Sequence, residues 1–146
     1  MIEIRPITAR QTWPLRSRVL KPYLKPEECA NPGDDDALTL HLGAFFESEL
    51  QGIATFLPEA HPFFTESVQP YRLRGMASAP ELHRRGMGRA LVEQGQFDLR
   101  QRGCDLLWFN AREVAFPFYE SLGFKYFGEM FDLPLIGPHK LMFKNF

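Results

Sequence analysis

A chain of 146 residues suits one domain and by area scaling buries roughly 68–70% of its unfolded surface, so it folds without disulfide or metal staples. With 45% apolar and 24% charged residues, intrinsic disorder and fibrous repeats are excluded. Seventeen basic against eighteen acidic residues leave a net charge of −1, which excludes an overall basic surface for nucleic acid or anionic membrane. From the N-terminus, Ile2 to Ile7 alternates apolar and polar, the pattern of a short strand. Thr8 with Gln11, or Thr12 before Pro14, caps a helix running to about Leu20, whose apolar face is Leu15, Val19 and Leu20. Lys21 to Ala37 is a long connection with the run Asp34-Asp35-Asp36; such loops tend to be functional or mobile. Thr39–Phe46 and Leu50–Leu57 read as a hairpin around Ser48-Glu49. After a loop from Pro58 to Pro70, Tyr71–Ser78 is a strand with Arg72 and Arg74 on one face and Leu73 opposite. Gly86-Met87-Gly88 opens a helix whose apolar stripe is Met87, Leu91, Gly95 and Leu99, stopped at Gly103. Cys104–Asn110 is a buried type of strand. A short helix runs from about Glu113 to Leu122, with Pro117 in its first turn. Phe124–Leu133 and His139–Phe143 close the chain as strands. The order β-α-β-β-β-α-β-α-β-β predicts an α/β fold of the α+β kind: a mixed sheet with helices against its faces, in one domain spanning 1–146.

Several function classes drop out on residue type. The four histidines are scattered, without the paired helical spacing of a zinc site, so no metal is expected. No apolar run reaches the ~18–20 residues of a membrane span, and Glu3 and Arg5 preclude a signal peptide at the start. Cys29 and Cys104, in no metal-like spacing, leave one disulfide formally open; reduced thiols in a cytoplasmic chain are the expectation. Fourteen phenylalanines are a surplus that fits either a Phe-rich core or, beyond it, an aromatic pocket or a protein contact.

The densest chemical signal is the turn into the central helix. A helix N-terminus offers unpaired backbone N–H groups and about half a positive charge. Gly86 and Gly88 let a ligand approach the backbone, and His83, Arg84, Arg85 and Arg89 add cationic donors, together a cradle for phosphate or diphosphate. A solvated basic turn is the plain alternative. The string lacks the G-x-x-x-x-G-K-S/T of a Walker loop. It also departs from the dinucleotide fingerprint, since Leu91 stands at the third glycine and Asn110, not an acid, ends the next strand.

Residues Ala77 to Val92, ASAPELHRRGMGRALV, resemble the coenzyme A loop of the GNAT N-acetyltransferase superfamily, Q/R-x-x-G-x-G/A. His83, Gly86 and Gly88 fit one register, Arg85, Gly88 and Ala90 another. A second string, VAFPFYESLGF from Val114 to Phe124, resembles the family's A-x-x-F-Y-x-x-x-G-F through Ala115, Phe118, Tyr119, Gly123 and Phe124. The family's usual Asn three residues before the Ala is replaced by Arg112, with Asn110 two positions earlier.

The resemblance implies a GNAT-like fold whose strands near Tyr71–Ser78 and Cys104–Asn110 splay apart. It implies acetyl-CoA as acyl-donor cosubstrate, its pantetheine added along Met76, Ala77 and Ser78. Its diphosphate would sit over His83, Arg84, Arg85, Gly86, Met87, Gly88, Arg89 and Ala90, with Phe118 and either Asn110 or Arg112 as further contacts. Tyr119 is the expected catalytic residue, assisting the thiolate as it leaves an attacked thioester. A phenol near pKa 10 and a thiol near 8.5 put full proton transfer roughly 1.5 units, or about 2 kcal/mol, uphill. That is close enough for the usual ~10²–10⁴-fold effect of a general acid. The attacking amine must lose a proton, which for a lysine-like amine at pH 7 costs about 4.6 kcal/mol. Glu47, Glu49, Glu113 and His139 are base candidates of equal weight, beside a water chain.

Three functions follow from this reading. The first is acetyl transfer to a primary amine of a small molecule or peptide. The second is a non-catalytic acyl-CoA sensor that needs no Tyr119 hydroxyl. The third, nucleic-acid binding through His83–Arg89, fails on charge. The aspartate run is expected to be a solvated loop, with attraction of a cationic amine as the alternative. Ile136-Gly137-Pro138-His139 is either a plain turn or the shaper of the acceptor side. A homodimer is compatible with all of this.

Overall fold

The strand patterns assemble into a single seven-stranded sheet of order β1-β2-β3-β4-β5-β7-β6 in the computed structural model, which describes residues 1–83 and 85–146. The strands are β1 (Ile2–Pro6), β2 (Leu40–Phe46), β3 (Glu49–Pro58), β4 (Pro70–Ser78), β5 (Leu106–Arg112), β6 (Lys125–Leu133) and β7 (Gly137–Asn145). All neighbours are antiparallel except β4 and β5, which run parallel. The hairpin of β2 and β3 turns on Glu47 and Ser48, both with positive φ (52° and 69°), the backbone twist that a two-residue hairpin loop needs. Boundaries expected from the pattern hold to within about two residues, the strand expected at Cys104–Asn110 starting instead at Leu106 and reaching Arg112.

Period-two alternation splits the sheet into two faces. Leu42, Ala54, Phe56, Leu73, Leu107, Phe109 and Met142 point to the face covered by α2 (Met87–Gln101) and α3 (Phe116–Ser121). The whole predicted stripe of α2 is buried there: Met87, Leu91, Gly95 and Leu99. Gly95 is a packing requirement, because a Cβ at this position would stand 2.2 Å from the Phe56 ring. On the opposite face α1 (Ala9–Leu15) packs through Leu15 on Ile53 and Ala77. Thr8, not Thr12, caps α1, in a reciprocal box with Gln11 (3.2 and 2.8 Å). Pro14 withdraws one N–H from the helix, and Arg16–Leu20 continue it with the wider π winding, closed by Lys21 N–H donating to Arg16 O at 2.8 Å. The phenylalanine surplus divides between the core and a separate aromatic cluster. Phe56, Phe109 and Phe124 are core, while Phe63, Phe64, Phe127 and Phe143 form a second cluster with ring centroids 5.0–5.4 Å apart.

Two irregularities shape the site. β4 and β5 pair only over Pro70–Arg72 and Leu106–Trp108, after which the strands diverge. β4 also carries a bulge: Thr55 faces Arg74 and Ile53 faces Ala77, so Gly75 (φ 63°) and Met76 together oppose Ala54. The bulge brings Ala77 onto the face where Arg72 and Arg74 already lie.

Candidate active site

Divergence of two parallel strands leaves the edge of β4 beyond Arg72 without a partner on the β5 side. The gap is a cleft of about 490 Å³. Met76, Ala77 and Ser78 line it from β4, and Asn110 and Arg112 from β5. The opposite edge of Ala77 and Ser78 is paired to Ile53 and Gly52 of β3. The edge facing the gap can therefore accept only a new extended segment.

At one end of the cleft the chain leaves β4 through Ala79, whose N–H donates to Gln51 O at 2.8 Å, and a single tight turn at Pro80–Leu82. Gly86, with φ 84°, caps α2, a left-handed conformation suited to glycine. The first bond of the helix runs from Ala90 N–H to Gly86 O at 3.0 Å. The amides of Met87, Gly88 and Arg89 precede it and are free to bind an anion, whereas the Ala90 amide is already committed to the helix. Met87 offers only its backbone, because its side chain is buried in the core. A Cβ on Gly88 would stand 3.2 Å from Phe118, whose ring thus packs against the helix terminus. His83 is exposed and lines the cleft. Arg85 is exposed, 5.6 Å above the Phe46 ring, and Arg89 donates to Ser121 Oγ at 3.1 Å. Arg84 lies outside the described residues. This arrangement fits a diphosphate: free amides and a glycine cap follow the end of β4, with Arg85 and Arg89 exposed on the same turn.

Tyr119 enters the cleft from α3. Its ring is wedged between Phe109 (centroids 4.3 Å) and Phe118 (5.0 Å). Its hydroxyl makes no hydrogen bond to any described residue, so it is not tethered to backbone. Burial holds the phenol protonated well above its ordinary range, only partly offset by the Arg112 charge. Full proton transfer to a thiolate is therefore steeper than the ordinary gap between phenol and thiol.

Of the four candidate bases, only His139 lines the cleft. Its ring is buried, and Nδ1 donates to the Gly137 carbonyl at 2.8 Å, which leaves the Nε2 lone pair free in the neutral ring. Glu47 belongs to the β2–β3 turn and Glu113 is exposed beyond the end of β5; neither they nor Glu49 reach the cleft. Sheet alternation sets His139, paired with Arg112 across β5 and β7, on the α1 face together with Asn110, Arg72 and Arg74. Leu133 and Ile136 also line this side.

Of the aspartate run, Asp35 and Asp36 are exposed, as expected of a solvated loop, while Asp34 departs from both expectations. Asp34 is buried and pairs bidentately with Arg16, at 2.6 and 3.0 Å, so it is neither a solvated loop residue nor a free attractant. Arg16 also donates to Cys29 O and Thr55 Oγ1, both at 3.0 Å, and the His41 ring bonds Thr55 Oγ1 and Asp34 O. This network pins the Lys21–Ala37 connection to the sheet beneath the cleft. Arg16 escaped the reading of the sequence, although a lone arginine beside Leu15 and Val19 on an apolar helix face was a visible signal. Cys29 and Cys104 are both buried free thiols. Among the described residues no group of histidine, cysteine or acidic side chains is spaced to hold a metal ion, and no helix is long and apolar enough to cross a membrane.

Residues 41–126 match the family model described as Acetyltransferase (GNAT) domain. The chain is 36% identical over 145 residues to "Uncharacterized N-acetyltransferase YitI" of Bacillus subtilis (strain 168), an alignment covering 99% of this chain and 97% of that protein. Among solved structures, Escherichia coli ElaA superposes with a TM-score of 0.79 at 19% identity, over 99% of this chain and 100% of the other. An aminoglycoside 6'-N-acetyltransferase complexed with coenzyme A gives 0.74 at 16% identity, over 98% and 96%. These two structural likenesses speak for the fold.

Proposed function

The chain belongs to the GNAT acetyltransferase family, which makes it an enzyme rather than a non-catalytic acyl-CoA sensor, and on that premise we propose direct acetyl transfer from acetyl-CoA to a primary amine, with Tyr119 as acid and His139 as base. Residues 1–146 act as one N-acetyltransferase domain in this reading. The observation that carries it is the cleft between β4 and β5. It has free helix amides at one end, an unpaired strand edge along its length and an untethered phenol inside.

Acetyl-CoA, bound there, supplies the acetyl group as a thioester. The amides of Met87, Gly88 and Arg89, with Arg85 and His83 around them, hold the diphosphate. The free edge of Met76, Ala77 and Ser78 pairs with the amides of the pantetheine arm. Asn110 and Arg112 both face the gap, and either can reach the coenzyme. His139 Nε2 takes the proton that the amine loses as its nitrogen bonds to the carbonyl carbon. Tyr119 donates a hydrogen bond to the sulfur that departs with the electrons of the C–S bond. Because burial raises the phenol, that hydrogen bond, with proton transfer late or incomplete, is the role that fits; the same dry surroundings also raise the pKa of the departing thiol. The acceptor is a primary amine of a small molecule or peptide. Two buried free thiols support a cytoplasmic location.

Free-thiol release over a panel of amines, with coenzyme A affinity by calorimetry, tests the assignment. Tyr119→Phe should lower kcat by ~10²–10⁴-fold while coenzyme A binds as before. His139→Gln should lower kcat most where the amine is most basic. Unaltered turnover in Tyr119→Phe refutes the acid role, and equal losses for weakly and strongly basic amines refute the base.

A further inference from the structure

The cleft keeps a charge pattern that acetyl transfer alone does not require. Its described lining holds five cationic side chains, Arg16, Lys21, Arg72, Arg74 and Arg112, and no aspartate or glutamate. Two are neutralised from outside the lining: Arg16 by Asp34 and Arg72 by Glu59 at 3.0 Å. Arg74 has no carboxylate partner among the described residues; its guanidinium donates only to the Pro32 carbonyl, at 3.3 Å. Lys21 Nζ meets only the Asn31 amide oxygen, at 3.5 Å. Arg112 likewise pairs with no described acid. Partial burial, and next the Arg72 charge, depress the Arg74 pKa against the opposing pull of Glu59 and Asp34, neither of which bonds to it.

The position of four of these cations separates them from the diphosphate turn, whereas Arg112 stands at the end of β5, within reach of the coenzyme. Arg72 and Arg74 precede the Gly75 bulge, toward the end of the cleft where β4 and β5 still pair. Arg16 and Lys21 come from the π-wound end of α1. Strand alternation puts Arg72, Arg74 and Arg112 on the same sheet face as His139, the side from which the amine comes if His139 is its base. Such a wall has two effects on an acceptor. It disfavours an ammonium ion and so favours the free base that attacks. It also leaves donors in a partly dry site that are best satisfied by an anionic oxygen group, which guanidinium grips in a fork.

We infer that the acceptor is a small primary amine that also carries a carboxylate or phosphate, seated on Arg74 and Lys21, and that polyamines are rejected. This rests on the acetyl-transfer reading above and narrows its substrate class.

The test uses amine pairs that differ only in the anionic group. Amino acids with aliphatic, aromatic, polar and acidic side chains are each compared with their carboxamides, and aminoalkyl phosphates with the matching amino alcohols. Thiol release gives kcat/KM for each member, and calorimetry monitors coenzyme A. The anionic member should be favoured by roughly 10- to 100-fold in at least one pair, as expected for one charge-assisted contact; which series shows it tells carboxylate from phosphate. Arg74→Gln and Lys21→Gln should each shrink that ratio, and the double variant should bring it to within about threefold of unity. Spermidine should be a poor substrate beside the best anionic amine. Neutral members used as well as or better than anionic ones overturn the inference, as does a ratio untouched in both variants. Turnover of no pair, with coenzyme A still bound, also overturns it but leaves acetyl transfer standing. Absence of coenzyme A binding by the folded chain removes the underlying reading itself.

Discussion

Asp34→Asn isolates the ion pair beneath the cleft. Arg16 and Asp34 are 2% and 6% exposed at their side chains and share two hydrogen bonds. Removing the negative charge leaves a buried guanidinium whose remaining acceptors, Cys29 O, Thr55 Oγ1 and the new amide oxygen, are all neutral, and such uncompensated charges cost about 3–5 kcal/mol. At ~2.1 cal/mol/K per residue the unfolding entropy of this chain is roughly 0.3 kcal/mol/K, so Tm should fall by about 10–16 °C. The pH dependence has a definite sign. Burial alone would raise the Asp34 carboxyl. The Arg16 hydrogen bonds, the Asn31 amide and the charges of Arg16 and His41 outweigh it and hold the pKa below its ordinary value. A carboxyl depressed in the folded state stabilises fully above its unfolded pKa of about 3.9 and loses that contribution as pH falls through the folded value. Thermal unfolding followed by circular dichroism should therefore show a constant gap between parent and variant from pH 6 to 8, narrowing below about pH 4. A shift under ~3 °C at pH 7, or a gap that widens in acid, would refute the reasoning. The paired replacement Arg16→Met with Asp34→Leu should cost less than Asp34→Asn alone.

Gly88→Val places carbon against Phe118 from a Cβ already at 3.2 Å and crowds the free amides; coenzyme A affinity should fall about tenfold or more, by roughly 1.4 kcal/mol, and calorimetry would show it. Gly95→Ala gains about 1 kcal/mol of helix propensity but drives a methyl to 2.2 Å from Phe56, an overpacking of about 1–3 kcal/mol. Net destabilisation of up to ~2 kcal/mol is expected in urea, and a stabilised variant would contradict the packing. Burial keeps the Tyr119 phenol protonated above its ordinary range, so the alkaline limb of the pH–rate profile should belong to another group. That limb should keep its position in Tyr119→Phe even as the rate falls, and its loss would show that the phenol titrates within the working range.

The fold was legible because local and global signals agree. The four-residue stripe of α2, the Thr8–Gln11 box and the glycines at 86, 103 and 123 each state a boundary that packing then respects. What lay beyond the sequence was pairing at a distance. Asp34 reads as one member of a polar run, and only the fold brings Arg16 to it across 18 positions. The β4 bulge was equally hidden, since Gly75 signals a kink only once Ala54 of β3 is known to face two residues. His139 was one of four equal candidates for the same reason. Its place in the cleft depends on β7 lying beside β5, a neighbour relation that leaves no mark in the local pattern.

The bulge and the splay together explain how one cleft can handle two protons separately. In the proposed reaction a proton must leave the attacking nitrogen while another is offered to the departing sulfur. Groups of such opposite tasks on one face would quench each other through a direct hydrogen bond. Here Tyr119 comes from α3 among Phe109, Phe118 and Phe124 on the α2 face. His139 lies on the other face, its Nδ1 fixed by Gly137. A continuous β4–β5 ladder would wall the two faces off from each other. Because the ladder stops at Arg72 and Trp108, both reach the same gap from opposite sides. Restoring strand pairing there would therefore abolish turnover without touching either side chain.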